Sequence, residues 1–483
     1  MRVCFRRGYA LCALAMALTA CATRPMGPYD PSLQELAYQT GDASFAGFDL
    51  VEAKDAAEFC VEFDNQDDRL QILNALKGPP VPDEARAREL RTELDFDSAH
   101  IDPARWDPVP VFDSRKAVAE AWDKYRGQSK LPADARIEPQ EDDVRPWTKL
   151  FKDLEERAEA KHLNDPDAQT VQDDPDLNGF GPWQNAWALY RGVGPNHNRY
   201  AIVLRGTVFS NRASAIDDAF FQPVIAHGFV SGAISFSDAP AAAVHSGFAH
   251  AAYSTLLDAR FGVLQALAAN VPAGAQLMIV GHSQGAAVAT LIHASLHYSM
   301  RDADLGSKDP LGLRGRHYRL KSYVFAQPKP GDFVFAGSFA RITQRFDNAL
   351  VINNSMDVVP QVPLTLQSSS DLSGDFRGNS LLARFVRWIS GVGPGVRRTF
   401  GVVLEPWARD ESAGWGYYYH WEEVRKDLTK SDEISESWNF THAGHLLWVY
   451  GPDPQPPGTD DFYQHHATTY RMLLQQQFSA PRR

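Results

Sequence analysis

The chain has 483 residues, 44% of them hydrophobic and 22% charged, with a formal net charge of −12. That length can bury one large core plus an added layer, and that composition excludes a disordered chain or a multi-span membrane protein. The acidic balance has no offsetting stripe of Lys and Arg, which argues against a nucleic-acid partner.

The first predicted element is a leader. Arg2, Arg6 and Arg7 make a positive start, and Tyr9 to Ala20 form a short apolar run. The run is too short to span a bilayer and has the flanks of an export signal. It ends in Leu18-Thr19-Ala20-Cys21, which resembles the lipobox of bacterial lipoproteins. The resemblance implies removal of residues 1–20 and acylation of Cys21 by palmitate-like chains. Several acyl chains together anchor a protein where one would be marginal. Ala22 after the Cys implies sorting to the outer membrane of a bacterial cell envelope. The alternative is an ordinary secretory signal that happens to contain a Cys. Cys4 and Cys12 fall in the leader, so only Cys60 would remain beside Cys21, which excludes an intramolecular disulfide. In Phe59-Cys60-Val61-Glu62-Phe63 it reads as a buried apolar filler.

Residues 21–32 read as a spacer off the membrane. Residues 33–180 form a polar, mainly helical N-terminal extension without a catalytic signature, a packing or covering layer. Helices are predicted at 83–94, with Asp83 as N-cap, and at 147–161, where Trp147, Leu150, Phe151 and Leu154 share a face. From 181 to 483 the texture changes. Strands are predicted at 183–191 and 199–204, a long helix at 247–269, a strand at 276–280 and a helix at 286–297. Further strands follow at 318–325 and 349–353. Strands alternating with helices give an α/β fold with a mostly parallel, helix-covered sheet.

The most informative residues are Gly281-His282-Ser283-Gln284-Gly285. They stand between the β-rich Leu277-Met278-Ile279-Val280 and the helix-forming Ala286-Ala287-Val288-Ala289. A strand, a tight turn and a helix are what a nucleophile elbow of an α/β-hydrolase requires. The two glycines remove side chains that would collide at the turn, and the helix start brings N–H groups near a developing oxyanion. A serine hydroxyl needs a base and an orienting acid, which follow it in the order acid, then His. Asp357, after the strand at 349–353, is the candidate acid, and by spacing alone a turn-capping Asp serves equally well there.

Five blocks then resemble the class 3 lipase family, the fungal triacylglycerol lipase type, over about 183–475. Val203-Leu204-Arg205-Gly206-Thr207 is similar to its oxyanion loop, and His245-Ser246-Gly247-Phe248 to its V-H-x-G-F helix start. Gly281 to Gly285 is similar to G-H-S-L-G, and Phe325 to Gly331 to F-G-x-P-R-x-G. Asn354 to Pro363 is similar to the block holding the acid. Gln284 and Ala286 depart from the usual Leu and Gly. The resemblance implies Asp357 as acid and the N–H groups of Thr207 and Gln284 as oxyanion hole, with no cofactor. It also implies a base at the start of the last helix, a few residues ahead of an aromatic. His465 precedes Tyr470 by five residues and His466 by four. His465 is taken, with His466 the alternative. His282 should point away from the serine, and His245 and His442 match structural positions. A metal reading of His442, His445, His465 and His466 lacks any H-E-x-x-H pattern, so no metal is assigned.

The resemblance implies hydrolysis of lipid esters (triacylglycerols, or phospholipids at sn-1) through an acyl-enzyme. The alternatives are a short-chain carboxylesterase or a non-catalytic surface lipoprotein on a hydrolase scaffold. Two lid candidates follow. One runs after the oxyanion loop, with Phe209, Ile216, Phe220 and Phe221. The other spans 381–389, where Phe385, Val386, Trp388 and Ile389 mix with Arg384 and Arg387. Apolar faces cost ~25 cal/mol per Å² in water, so each either covers the core or meets lipid.

Overall fold

Runs such as Ala201-Ile202-Val203 and Leu277-Met278-Ile279-Val280 are apolar without alternation, the pattern of strands covered on both faces. The structure, a computed structural model, describes residues 38–64, 100–109, 185–207, 223–228, 234–257, 262–306, 308–363, 440–456, 459 and 462–478. A 3-10 turn at Ala43–Phe45 leads into α1 (Leu50–Asp64), and β1 (Trp106–Pro108), β2 (Trp187–Gly192) and β3 (Arg199–Leu204) follow. Next come β4 (Pro223–Ile225), β5 (Ala243–His245), α2 (Ser246–Leu257), α3 (Val263–Asn270), β6 (Gln276–His282) and α4 (Gln284–Leu305). The chain continues through β7 (Arg319–Phe325), β8 (Gly331–Asp332), α5 (Phe333–Thr343) and β9 (Ala349–Asn354). It closes with β10 (Phe440–Thr441), β11 (His445–Val449) and α6 (Ala467–Phe478).

Among the described residues the main sheet has seven strands in the order β1-β2-β3-β6-β7-β9-β11. The first three are antiparallel neighbours, and β3, β6, β7, β9 and β11 run parallel. Four short strands, β10-β8-β5-β4, make a separate antiparallel sheet. The α/β class follows from this strand order and direction. On one face α4 packs against β6 and β7, and α2 packs on α4. The small Ala286, Ala287, Ala289 and Ala294 keep that long helix close. On the other face α1 and α6 bury Phe59, Phe63, Tyr470 and Leu473 against Met278, Val280 and Tyr323.

The long helix read at 247–269 is two helices, α2 and α3. Helix α1 lines the central sheet, β1 pairs with β2, and Thr40–Arg483 forms one compact unit. The ties are polar as well as apolar. Buried Glu52 of α1 accepts from Lys321 Nζ at 2.5 Å, from Arg199 at 2.8 Å and from the Tyr323 hydroxyl at 3.1 Å. Asp55 accepts from Arg105 and from the Trp106 indole, at 2.7 and 2.8 Å. Such cross-chain pairs leave no short-range pattern in the sequence. Cys60 is buried among the apolar residues of α1. Cys21, the predicted helices at 83–94 and 147–161, and both lid candidates lie outside the described residues. Among the described residues no helix is long and apolar enough to cross a membrane, and no group of three His, Cys, Asp or Glu could hold a metal ion.

Candidate active site

Parallel strands place their exits along one edge, where loops carry chemistry. Ser283 follows β6 and Asp357 follows β9, Thr207 lies three residues beyond β3, and His465 comes after β11. Ser283 has φ 56° and ψ −130°, a left-handed turn forced on a non-glycine residue. Local strain of this kind concentrates at functional sites. Two glycines make the turn fit. A Cβ on Gly281 would strike the Gly285 carbonyl, and one on Gly285 would strike the Leu204 and Arg205 carbonyls. Gly285 thereby lets the start of α4, where Gln284 is buried, close on the exit of β3 that leads to Thr207.

The ring of His465 lies between Ser283 and Asp357. Its Nε2 is 2.9 Å from Ser283 Oγ and its Nδ1 2.8 Å from Asp357 Oδ2. All three are buried. Asp357 also accepts from the Val359 N–H at Oδ1 and from the Tyr470 hydroxyl at Oδ2, at 2.9 and 2.8 Å. Burial, then the adjoining Asp357 carboxylate, holds the Tyr470 hydroxyl well above its ordinary pKa, so it stays a donor. With Nδ1–H donated to the carboxylate, Nε2 is free to take the serine proton, and the acid stabilises the imidazolium that forms. His466 takes a different place, its carbonyl accepting from the Thr469 and Tyr470 N–H groups as α6 begins.

Some partners had no functional reading in the sequence. Asn354 ties the acid loop to the base loop: its Nδ2 donates to Gln464 O and Oε1, both at 2.9 Å, and its Oδ1 accepts from Met356 and Gly451 N–H. Its own N–H donates to the Tyr470 hydroxyl at 2.9 Å. The signal for it was its place at the head of the Asn354–Pro363 block, and for Tyr470 its spacing from the histidines. His245 stacks on Phe248, and His445 pairs with Asp347 at 2.5 Å. His442 is pushed down to about 4 by burial and then by the Lys329 ammonium, while burial brings Lys329 to about 8.

Residues 201–367 match the family described as lipase (class 3), about a third of the chain, covering the serine and the acid but ending ahead of His465. No curated protein matches. Among solved structures, a fungal lipase in an inhibitor complex is 22% identical, over 38% of this chain and 57% of its own, with a TM-score of 0.27. The triacylglyceride lipase of Rhizomucor miehei is 23% identical over 38% and 57%, with a TM-score of 0.26. M37 lipase is 15% identical over 62% of this chain and 77% of its own, at a TM-score of 0.36. The chain therefore spans just over half the length of those two fungal proteins.

Proposed function

We propose that this protein hydrolyses carboxylic esters of lipids through an acyl-enzyme, with Ser283 as nucleophile, His465 as base and Asp357 as orienting acid. The observation that carries it is the continuous hydrogen-bonded chain from Ser283 Oγ through the His465 ring to Asp357, set at the strained turn that opens α4. Ser283 Oγ attacks the ester carbonyl as its proton passes to His465 Nε2. The tetrahedral oxyanion is met by the N–H groups of Thr207 and Gln284. Each such donor contributes ~3 kcal/mol to the transition state. The C–O bond then breaks and the alcohol leaves with the proton from Nε2. Water repeats the sequence on the acyl-serine, releasing the fatty acid and restoring the hydroxyl.

A lipid rather than a small polar ester is supported by the match of residues 201–367 to class 3 lipases and by the rim of the site. Met356, Val358 and Val362 on the acid loop and Phe462 ahead of the base are exposed apolar side chains. They suit acyl chains better than water. A Cys21 acylated in the bacterial envelope would hold such a site at a lipid surface, and mass spectrometry of the mature N-terminal peptide tests that anchor. For the chemistry, the test is labelling by a fluorophosphonate and turnover of p-nitrophenyl esters. Ser283→Ala should abolish labelling and lower turnover on the order of a millionfold with an unchanged thermal midpoint. Turnover by Ser283→Ala equal to that of the wild type would leave a scaffold whose serine has no catalytic part.

A further inference from the structure

His282 stands next to Ser283 at the end of β6, with its side chain on the other side of the turn. Strand alternation explains where it goes instead. Met278, Val280 and His282 share one face of β6, the face on which Met278 and Val280 pack with Tyr470 of α6. That face delivers His282 under the start of α6, just where the base enters. Its ring lies 4.8 Å from the His465 ring and edge-on to Tyr470 at 5.6 Å. Its Nε2 is 2.8 Å from the backbone oxygen of His465. A carbonyl can only accept, so Nε2 carries the proton and donates.

The His465 carbonyl sits just outside the helix ladder. Thr469 and Tyr470 turn their N–H groups to His466 instead, while the His465 N–H donates to Phe462 O at 2.7 Å. The backbone of the base is thus held at both of its polar groups, and the carbonyl is gripped by the neighbour of the nucleophile. A closed ring results: Ser283 to His282 by the chain, His282 to His465 by its side chain, and His465 back to Ser283 Oγ by its imidazole.

From this geometry we infer that His282 is a positioning residue that sets the distance between nucleophile and base by gripping the backbone of His465. The inference rests on the hydrolase reading above. A misplacement of ~1 Å costs about a hundredfold in rate, so the ring makes the serine and the base move as one unit. A neutral donor of the right reach is all the role needs. Gln places an amide N–H near the position of Nε2, Asn falls short of it, and Leu has no donor.

The experiment compares H282L, H282Q and H282N in the full chain, using p-nitrophenyl butyrate below its solubility limit, a fluorophosphonate, and thermal melting. H282L and H282N should lose about a hundredfold in kcat with KM little changed, and label more slowly by the same ratio. H282Q should recover to within about tenfold of the wild type. If H282L does not fold, the comparison of Gln with Asn decides. Equal kcat for Gln and Asn, or H282L within about threefold of the wild type, would overturn the inference and leave His282 a packing residue. Failure of the underlying reading looks different: the wild type would not label at all, or would label equally in Ser283→Ala, and the positioning role would fall with it.

Discussion

Asp357 illustrates how much the setting of a buried carboxylate depends on its surroundings. Its carboxylate is buried and takes three donors, from His465, Tyr470 and the Val359 N–H. The Tyr470 hydroxyl is held in turn by the Asn354 N–H, so one phenol bridges the acid and the strand end that presents it. Removing the hydroxyl leaves the Asn354 N–H buried without that acceptor, a loss of about 1–3 kcal/mol. Tyr470→Phe should therefore lower the unfolding free energy by that amount. It should also lower kcat about tenfold by loosening the carboxylate that orients His465, with KM for a short ester unchanged. Chemical denaturation and steady-state kinetics on one preparation check both. A stability loss with intact kcat would show that the tyrosine supports only the fold.

At the scale of elements, the decisive contact is between α1 and the sheet. Glu52 and Lys321 are 4% and 1% exposed, and they join a helix near the start of the chain to the middle of β7. Two charges taken out of water gain little net stability as a pair, but an orphaned one is costly. Glu52→Leu strands the Lys321 ammonium and should cost about 3–5 kcal/mol. Adding Lys321→Met should restore much of that loss, because the buried ammonium goes with the carboxylate, while Arg199, the third member of the cluster, is a quarter exposed and keeps its bond to Gln276. Urea midpoints of the two singles and the double measure this. A double variant less stable than Glu52→Leu alone would mean that Lys321 is held by something other than this pair. The same contact explains why residues 33–180 gave so little in the sequence. The helix α1 was not among those predicted in that stretch, and its partner sits about 270 residues on, where no local periodicity names it.

At the scale of the molecule, buried titratable groups that the site does not use give the described residues a pH-dependent stability. Burial pushes His293 and His297 down to about 3, with Arg301 adding to the effect on His297. Burial likewise brings His442 to about 4. Each folded-state pKa lies below the ordinary 6.5, so between those values the unfolded chain binds protons that the folded one refuses. Their contribution is present above pH 6.5 and is lost as pH falls toward 3. Asp332 opposes them. Burial raises it from 3.8 to about 6, against the N–H groups of Phe335, Ala243 and Val334, so its contribution is full below 3.8 and lost as pH rises through 6. Among these four groups, three protons against one leave a net uptake on unfolding across pH 4 to 6. Stability should fall with acid by about 1.4 kcal/mol per pH unit for each net proton. Asp332→Asn should steepen the fall and a His293→Leu/His297→Leu double should flatten it. The slope of urea stability against pH is the quantity to measure, since the level will also move. An unchanged slope in the double would place the acid sensitivity elsewhere.

The sequence by itself determined the α/β class, the strands β3, β6, β7 and β9 to within a residue or two, and the serine at its turn. These are written locally: apolar runs without alternation demand a sheet covered on both faces, and Gly281 and Gly285 are the residues a tight approach of backbone to backbone requires. The resemblance to class 3 lipases also pointed to two adjacent histidines, His465 and His466, as the base. Only the tertiary structure shows which of the two rings lies between Ser283 and Asp357, that of His465, because adjacent residues ahead of a helix point in different directions and the outcome depends on where α6 lands on the sheet. It likewise decided that β1 extends the central sheet while α1 covers one face of it, and that His282 grips the backbone of His465. Those facts are contacts between residues some 85 to 270 positions apart, and such pairings arise from packing, which no short window of sequence contains.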